Sequence, residues 1–363
     1  MTLDLPSDAR LYLRPVQFAD SPVNRDGELA RLAGGLTWFS AYELIARRGG
    51  ERILQRTLPV AELPDDPRLA GLVQRITVPR APLRLGERVI RLDQPQVMAI
   101  LNMTPDSFSD GGRHLGDPAA AAESGMAMAE AGAAILDIGG ESTRPGAAEV
   151  WEGEETERVV PVIARLARAG AAISIDTRRA AVMEAALGAG AHLINDVAAL
   201  LYDPRAIEVA VASGAPVVLM HSPDPERGGH GEGGYRDVLL DVYDWLEARI
   251  DAVVAAGVDR SKILVDPGIG FGKSLHDNLA LLNGLALFHG LGCGIVLGAS
   301  RKRLIGALSH EAPADRRLGG SVALALKGAE LGVQLIRVHD PFETVQALRV
   351  WRGLRDAALV ARH

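Results

Sequence analysis

The amino-acid sequence predicts an α/β protein, a TIM (β/α)8 barrel with a small N-terminal α/β appendage. The first observation is a pattern that recurs from about Gln96 onward, in which a short apolar, β-branched run ends in polar residues and an amphipathic stretch follows. The second is that these runs are apolar throughout rather than alternating, which is typical of parallel strands buried on both faces. Eight such units favour a closed barrel over an open doubly wound sheet.

Eight runs are predicted to be the barrel strands. They cover residues 97–102, 135–138, 173–176, 193–196, 217–221, 263–266, 295–299 and 335–339. A glycine lies shortly before each of the last seven runs, where a helix commonly ends in a left-handed residue. These glycines are Gly132, Gly170, Gly190, Gly214, Gly257, Gly292 and Gly332. Apolar residues at three- and four-residue spacing predict helices over 117–131, 154–168, 178–187 and 237–256.

Residues 1–93 do not share this rhythm and are predicted to form the appendage, with the barrel over 94–363. Within the appendage, 36–48 reads as an amphipathic helix, while 52–58 and 88–92 read as possible strands. An alternative stays open for residues 84–95, which would close the floor of the barrel instead. The sequence does not indicate a role for the appendage.

Net charge, cysteine count and the length of the apolar runs exclude several classes of function. A net charge of −7 gives no general attraction to nucleic acid or to an anionic membrane, so small molecules are the expected partners. Cys293 is the only cysteine, which excludes an internal disulfide and a cysteine metal cluster and suits a reducing, cytoplasmic location. We expect Cys293 to be a small core residue. No apolar run approaches the length of a membrane helix, and residues 1–15 lack a signal-peptide core.

Polar residues end every predicted strand. In a barrel these ends open on one face, where active sites are built. The residues are Asn102, Asp137, Asp176, Asn195, Asp196, His221, Asp266, Ser300, Arg337 and His339. Alternation along the last strand places Arg337 and His339 on the same side, where a guanidinium and an imidazole would suit a phosphate group. For any single one of these residues, the alternative to a role in the site is that it is polar only because the strand end meets solvent.

Four loops are candidates for the chemistry; the alternative is an ordinary surface loop for either of the first two and a solvated basic turn for the fourth. Residues 102–112 and 139–146 are rich in hydroxyls, glycine and turn residues, which can offer hydrogen bonds to oxyanions. Residues 266–274 end in Gly-Lys-Ser, yet Pro267 stands where a P-loop needs its first glycine, so a nucleotide site is not predicted. Residues 298–303 place basic side chains where a helix begins, which is unfavourable unless an anion or ligand lies there.

The ordered set of motifs from about Leu92 to Arg352 resembles the dihydropteroate synthases. The motifs are Asn-Met-Thr-Pro-Asp-Ser-Phe-Ser-Asp-Gly-Gly (102–112), Gly-Gly-Glu-Ser-Thr-Arg-Pro-Gly (139–146), Ile-Asp-Thr (175–177), Asn-Asp (195–196), Leu-Met-His (219–221), Asp-Pro-Gly-Ile-Gly-Phe-Gly-Lys (266–273), Ser-Arg-Lys (300–302) and Ile-Arg-Val-His-Asp (336–340). The resemblance implies a homodimeric folate-pathway transferase, a sulfonamide target, that joins 6-hydroxymethyl-7,8-dihydropterin diphosphate to para-aminobenzoate and releases pyrophosphate.

The resemblance also implies roles for individual residues. The residues expected to bind the pterin are Asp176, Asn195, Met220, Asp266, Phe271 and Lys302. Those expected to hold the pyrophosphate are Asn102, Thr143, Arg144, Arg337 and His339, and Asn102 is also expected to ligate Mg²⁺. Those expected near para-aminobenzoate are Pro145, Ser300 and Arg303. The residues expected to act in catalysis are Asn102, Asp106, Arg144, Lys302, Arg337 and His339.

Two departures leave alternatives open. The loop at 222–234 differs from the Met-Gln-Gly type usual in the family, and the family's shorter members lack the N-terminal segment. One alternative is a non-catalytic pterin-binding paralogue, which the altered loop suggests. The other is a pterin-dependent methyltransferase, against which the basic residues Arg144, Lys302, Arg337 and His339 argue, because that chemistry needs no pyrophosphate clamp.

Overall fold

The structure is a computed structural model, which describes residues 5–104, 117–142, 149–227 and 233–360. Its strands are β1 (Arg10–Ala19), β2 (Ala30–Arg31), β3 (Trp38–Arg48), β4 (Glu51–Pro59), β5 (Leu83–Leu85), β6 (Arg88–Ile90), β7 (Gln96–Asn102), β8 (Ile135–Gly139), β9 (Ile173–Asp176), β10 (Leu193–Asp196), β11 (Val217–Met220), β12 (Ile263–Asp266), β13 (Gly294–Leu297) and β14 (Leu335–Val338). Its α-helices are α1 (Pro67–Thr77), α2 (Pro118–Ala131), α3 (Glu152–Arg168), α4 (Ala180–Gly188), α5 (Ala206–Ser213), α6 (Val238–Ala255), α7 (Leu275–Gly284), α8 (Arg303–Leu308), α9 (Leu318–Glu330) and α10 (Pro341–Leu359).

Strands β7 to β14 form a closed parallel barrel in chain order, which confirms the predicted fold. Each strand pairs with the next, and β14 closes the ring by pairing with β7. The strands are almost wholly buried because side chains fill the barrel inside and helices cover it outside. Each of the seven glycines predicted before a strand has a positive φ, between 61° and 117°. The helices therefore end where the sequence predicts.

The helix predicted over 36–48 is wrong, because this segment is the strand β3. It lies between β1 and β4 in an antiparallel sheet and is buried along most of its length. A central strand buried on both faces carries apolar residues at nearly every position, so the three- and four-residue spacing read from it was not evidence of a helix. The bulky residues Phe39, Tyr42 and Ile45 favour a strand.

The hairpin of β5 and β6 closes the floor of the barrel. Its side chains Leu83, Leu85 and Ile90 are buried together with Leu92 and with residues near the amino ends of the barrel strands. This is the alternative that the sequence left open for residues 84–95. Active-site groups therefore face the opposite end, where the strands finish.

The antiparallel sheet of the appendage packs on α6 of the barrel. Tyr12 of β1 and Ile45 of β3 are fully buried and belong to the same hydrophobic cluster as the barrel's own helices. Arginines of the appendage form ion pairs with acidic residues of α6, which lie along one face of the helix and at its N-cap. The ion pairs are Arg52–Asp237, Arg47–Asp241, Arg47–Asp244, Arg10–Asp244, Arg10–Glu247 and Arg75–Glu247. Charge and apolar contact together fix the sheet to the barrel.

None of the helices in the described ranges combines the length and apolar character needed to cross a bilayer. Cys293 is buried in the main hydrophobic cluster, as predicted.

Candidate active site

The carboxyl ends of the barrel strands bring together most of the predicted site residues. Asn102, Asp176, Met220 and Asp266 are the last residues of β7, β9, β11 and β12, and Asn195 is the penultimate residue of β10. Arg337 lies within β14. The predicted residues Asp106, Thr143, Arg144 and Pro145 lie outside the described residues.

Arg337 stands at the centre of a buried polar cluster. Its Nε donates a hydrogen bond of 2.6 Å to Oδ2 of Asp137, and its Nη2 donates to Oδ2 of Asp176. The amide of Asn195 donates to the same oxygen of Asp137 at 3.1 Å. Side chains from β8, β9, β10 and β14 thus meet inside the mouth of the barrel. Burial lowers the pKa of Arg337, but Asp137 and Asp176 together raise it by more, so the guanidinium stays charged.

Asp137 was predicted to lie at the active face of the barrel but was given no role in binding or catalysis. It lies within β8, has no exposed surface and contacts both Arg337 and Asn195. The signal was present in the sequence, because Asp137 is a charged residue inside an otherwise apolar strand. A buried carboxylate is stable only when it is paired or hydrogen-bonded, so its position alone indicated a partner in the site.

Two carboxylate oxygens in this cluster have no hydrogen-bond partner within the described part of the chain: Oδ1 of Asp137 and Oδ1 of Asp176. Burial raises the pKa of Asp176 to about 7; Arg337 lowers it, and the neighbouring Asp137 raises it. A buried acceptor without a donor is costly in the empty protein. A ligand with N–H groups would satisfy it.

Asp266 supplies a further carboxylate on the other side of the mouth. Its Oδ1 accepts the backbone N–H of Gly268 at 2.7 Å, and burial raises its pKa. Two glycines keep the space around these groups open. A side chain at Gly298 would lie 3.5 Å from Oδ2 of Asp266, and one at Gly139 would lie 3.5 Å from Oδ1 of Asn102. Neither glycine therefore places a side chain against these polar groups.

Lys302 and Phe271 form one wall of the mouth. The ammonium of Lys302 lies 4.2 Å from the centre of the Phe271 ring, a distance at which cation and ring attract each other. Nearby, Oγ of Ser300 contacts Nδ1 of His339 at 3.1 Å. Arg303, the first residue of α8, is exposed. The structure thus joins the segment 300–303 to the end of β14.

Two of the polar residues at the strand ends, Asp196 and His221, contact other groups of the protein. Asp196 accepts the N–H groups of Ala198 and Leu200, at 2.7 and 2.8 Å, and burial raises its pKa to about 6. Nδ1 of His221 contacts the ammonium of Lys273 at 3.0 Å.

In the described ranges, no group of three or more His, Cys, Asp or Glu residues is arranged to hold a metal ion.

Comparison with known proteins identifies the family. The model of the pterin binding enzymes matches residues 98–339, which is more than half of the chain. The dihydropteroate synthase of Escherichia coli (strain K12) is 45% identical over 260 residues, which are 71% of this chain and 91% of that protein. The enzyme of Bacillus subtilis (strain 168) is 46% identical over 67% of this chain and 83% of its own length. The chain belongs to the dihydropteroate synthase family.

Solved dihydropteroate synthases share the barrel. The Xanthomonas albilineans enzyme with 4-aminobenzoic acid is 46% identical, with a TM-score of 0.71, and covers 76% of this chain and 98% of its own. The Yersinia pestis enzyme in a sulfonamide drug complex is 44% identical, also with a TM-score of 0.71, and covers 76% and 99%. The family model begins at residue 98, so the appendage lies outside the matched family region. As a member of the dihydropteroate synthase family, the protein is a transferase.

Proposed function

We propose that this protein condenses 6-hydroxymethyl-7,8-dihydropterin diphosphate with para-aminobenzoate to give 7,8-dihydropteroate and pyrophosphate. The family membership supports this reaction. So does the similar Xanthomonas albilineans enzyme, which was solved in complex with 7,8-dihydropteroate and is 45% identical.

The observation that carries the proposal is the unsatisfied acceptor at the bottom of the mouth. Oδ1 of Asp176 is buried without a donor among the described residues, and Asp266 faces the same space. The edge of a pterin is guanidine-like, and a carboxylate can accept two of its N–H groups at once. The proposed pterin-binding residues are Asp176, Asn195, Met220, Asp266, Phe271 and Lys302.

The pyrophosphate would lie above Arg337. Two nitrogens of Arg337, Nε and Nη2, are directed at carboxylates, which leaves Nη1 to face an anion. Arg337 would thereby lie between Asp176, the carboxylate proposed to bind the pterin, and the pyrophosphate leaving group. The proposed pyrophosphate-binding residues are Asn102, Thr143, Arg144, Arg337 and His339.

The donor set fits Mg²⁺ bound mainly through the substrate. Asn102 offers an amide oxygen beside Gly139, where no side chain separates it from Asp176. Mg²⁺ keeps several waters and binds through one or two protein oxygens together with substrate phosphates, so a single amide ligand is compatible with it. When bound, Mg²⁺ would neutralise charge on the pyrophosphate.

The reaction needs no protein nucleophile. The bond from the pterin methylene carbon to oxygen breaks, and its electron pair leaves with pyrophosphate. The aniline nitrogen then bonds to that carbon and loses a proton to solvent. The chain would contribute by stabilising the leaving group and by orienting both substrates. The proposed catalytic residues are Asn102, Asp106, Arg144, Lys302, Arg337 and His339, and those proposed near para-aminobenzoate are Pro145, Ser300 and Arg303.

Three further properties belong to the same proposal: a homodimer, a cytoplasmic location and sensitivity to sulfonamides. The buried single thiol Cys293 suits a reducing compartment. The similar Yersinia pestis enzyme, solved in a sulfonamide drug complex, supports testing such compounds here.

A coupled assay of pyrophosphate release tests the proposal. Release should require the pterin diphosphate, para-aminobenzoate and Mg²⁺ together. Arg337→Met should reduce kcat/KM by about a hundredfold, because it removes a half-buried charge that is proposed to contact the leaving group. Pterin binding without pyrophosphate release would contradict the proposal and indicate a non-catalytic pterin-binding protein.

A further inference from the structure

Lys273 is a half-buried lysine that the proposed reaction does not use; burial lowers its pKa to about 7, and Asp266 opposes that shift. It follows the glycine-rich segment after β12, where the sequence invites comparison with a phosphate-binding lysine. Its Nζ donates to the carbonyl oxygens of Gly268, at 2.9 Å, and Phe271, at 3.1 Å, and contacts Nδ1 of His221 at 3.0 Å. The carbonyl oxygen of His221 lies 3.4 Å from the same Nζ, so the three N–H groups of an ammonium are shared among four protein acceptors. The geometry leaves no donor for a phosphate.

His221 ties this ammonium to the neighbouring strand. It is the first residue after β11, and its backbone N–H donates to the carbonyl of Asp266 at 2.9 Å. Burial and the charge of Lys273 lower the pKa of His221 to about 3, so the ring is neutral and its Nδ1 can accept a hydrogen bond. The ring packs edge-on against Trp245, with 5.0 Å between ring centres. Lys273 therefore joins the segment after β12 to a rigid part of the barrel.

The segment that Lys273 holds carries two proposed pterin-binding groups. Gly268 donates its N–H to the carboxylate of Asp266, and at φ 70° it lies so close to the His221 carbonyl that no side chain would fit. Phe271 places its ring under the ammonium of Lys302. Asn278 accepts the N–H of Gly270 at 2.7 Å. The turn at residues 268–271 is therefore fixed from both sides.

We propose that Lys273 is a positioning residue for the pterin site: its ammonium fixes the turn at residues 268–271, and thereby sets where Asp266 and Phe271 meet the pterin. Lys273 makes no contact with phosphate in this arrangement. The inference rests on the proposed function, because it assigns the turn to the binding of a pterin.

The variant Lys273→Met tests the inference, since it keeps the length of the side chain and removes the charge and all three donors. Lys262→Met is the matched control, because Lys262 donates to the carbonyl of Gly214 at the opposite end of the barrel. Calorimetric titration with pterin should show that Lys273→Met binds about tenfold or more weakly, while Lys262→Met stays within about twofold. Inhibition by pyrophosphate should change by less than about twofold in both variants, because no phosphate contact is lost.

A pair of variants at His221 keeps the test decisive if Lys273→Met does not fold. His221→Asn retains an acceptor near the position of Nδ1, whereas His221→Leu removes it. Pterin affinity should be largely kept by His221→Asn and lost by His221→Leu. A double-mutant cycle between Lys273→Met and Phe271→Ala should be non-additive, because the lysine acts through the turn.

The possible results separate the two proposals. A wild-type protein that does not bind pterin would contradict the proposed function. A wild-type protein that binds pterin, together with Lys273→Met and His221→Leu variants that bind it equally well, would overturn only the role of Lys273. A loss of pyrophosphate inhibition with unchanged pterin affinity would also overturn it, because that result indicates a phosphate ligand.

Discussion

The three buried carboxylates at the mouth of the barrel differ in what their oxygen atoms contact. Asp137 shares its Oδ2 between Arg337 and Asn195, whereas Asp176 contacts Arg337 alone among these groups. Asp266 has no ion pair among the described residues and is bound by the N–H of Gly268. Oδ2 of Asp137 is therefore shared between two protein donors, while Oδ1 of Asp137 and Oδ1 of Asp176 both keep capacity for a ligand.

Asp266→Asn should weaken pterin binding by at least about tenfold, or about 1.4 kcal/mol. The substitution places an amide donor opposite a pterin N–H and removes a charge-assisted hydrogen bond. Calorimetric titration with pterin measures the effect, and Asp251→Asn, on the exposed surface of α6, is the control. Unchanged affinity in a folded variant would remove Asp266 from the site.

The affinity for pterin should rise with pH as Asp176 ionises. Burial raises its pKa from 3.8 to about 7; Arg337 opposes this, and Asp137, Glu155 and Asp196 add to it. Between about pH 6 and about pH 7.5 the carboxyl changes from a donor and acceptor to an acceptor of two N–H groups. Titrations across this range should show the rise in the wild type and not in Asp176→Asn. An identical pH dependence in both would contradict the assignment.

The same shift has a consequence for stability. Because the pKa of Asp176 is higher in the folded protein, the folded state binds more protons than the unfolded state between about pH 4 and about pH 7. The stability contributed by this group is fully present below its unfolded pKa of 3.8 and is lost as the pH rises through about 7. Ionisation of Asp176 therefore lowers the stability of the protein in the same pH range in which the ionised carboxylate would bind the substrate.

At the scale of elements, α6 is the support on which the appendage rests. Its acidic side chains recur at intervals of three and four residues, which places them on one face of the helix. The arginines that contact them come from β1, β3, β4 and α1. The sequence contained this acidic stripe, but its partners lie about two hundred residues away, so spacing alone did not reveal them.

Arg47→Met should destabilise the protein more than Arg48→Met, although the two arginines are neighbours on β3. The side chain of Arg47 is 12% exposed and pairs with Asp241 and Asp244, whereas the side chain of Arg48 is 54% exposed and pairs with Asp8. The expected loss in the free energy of unfolding is about 1–3 kcal/mol for Arg47→Met, because Asp241 and Asp244 lose the arginine with which they pair. For Arg48→Met, whose ion pair is exposed, the expected loss is below about 1 kcal/mol. Urea denaturation measures both. Equal losses would mean that the ion pairs on α6 do not anchor the sheet.

At the scale of the whole molecule, the appendage and the barrel share a hydrophobic core. Tyr12 and Ile45 are fully buried beside α6, and Arg80 donates to the backbone carbonyls of Cys293 and His289. The division at residue 93 predicted from the sequence stays a prediction. The contacts indicate that residues before it contribute to the stability of the barrel.

A chain that begins at Arg84 should therefore be much less stable than the full chain, although every proposed site residue is retained. Each large apolar side chain lost from the core removes about 1.5–3 kcal/mol, and the total stability of a protein is only about 5–15 kcal/mol. Thermal unfolding compares the two chains, and pyrophosphate release reports activity. A shortened chain with the melting temperature of the full chain would show that the appendage only rests on the barrel surface.

The sequence by itself determined the barrel and the position of its active face. The strand runs and the seven glycines follow from local chemistry: apolar β-branched residues favour buried strands, and only glycine enters the left-handed region at little cost. Because parallel strands all end on one side, polar residues at positions such as Asp176 and Asp266 had to meet there. The ordered motifs then identified the family.

The tertiary structure decided what depends on contacts between distant segments. It showed that residues 36–48 form a strand, because a central strand and an amphipathic helix can share the same apolar pattern and only pairing with β1 and β4 distinguishes them. It placed Asp137 against Arg337, two hundred residues away, and turned Lys273 toward His221. Local preferences act over a few residues, whereas the pairing of a buried charge is set by whichever group the fold brings within hydrogen-bond distance.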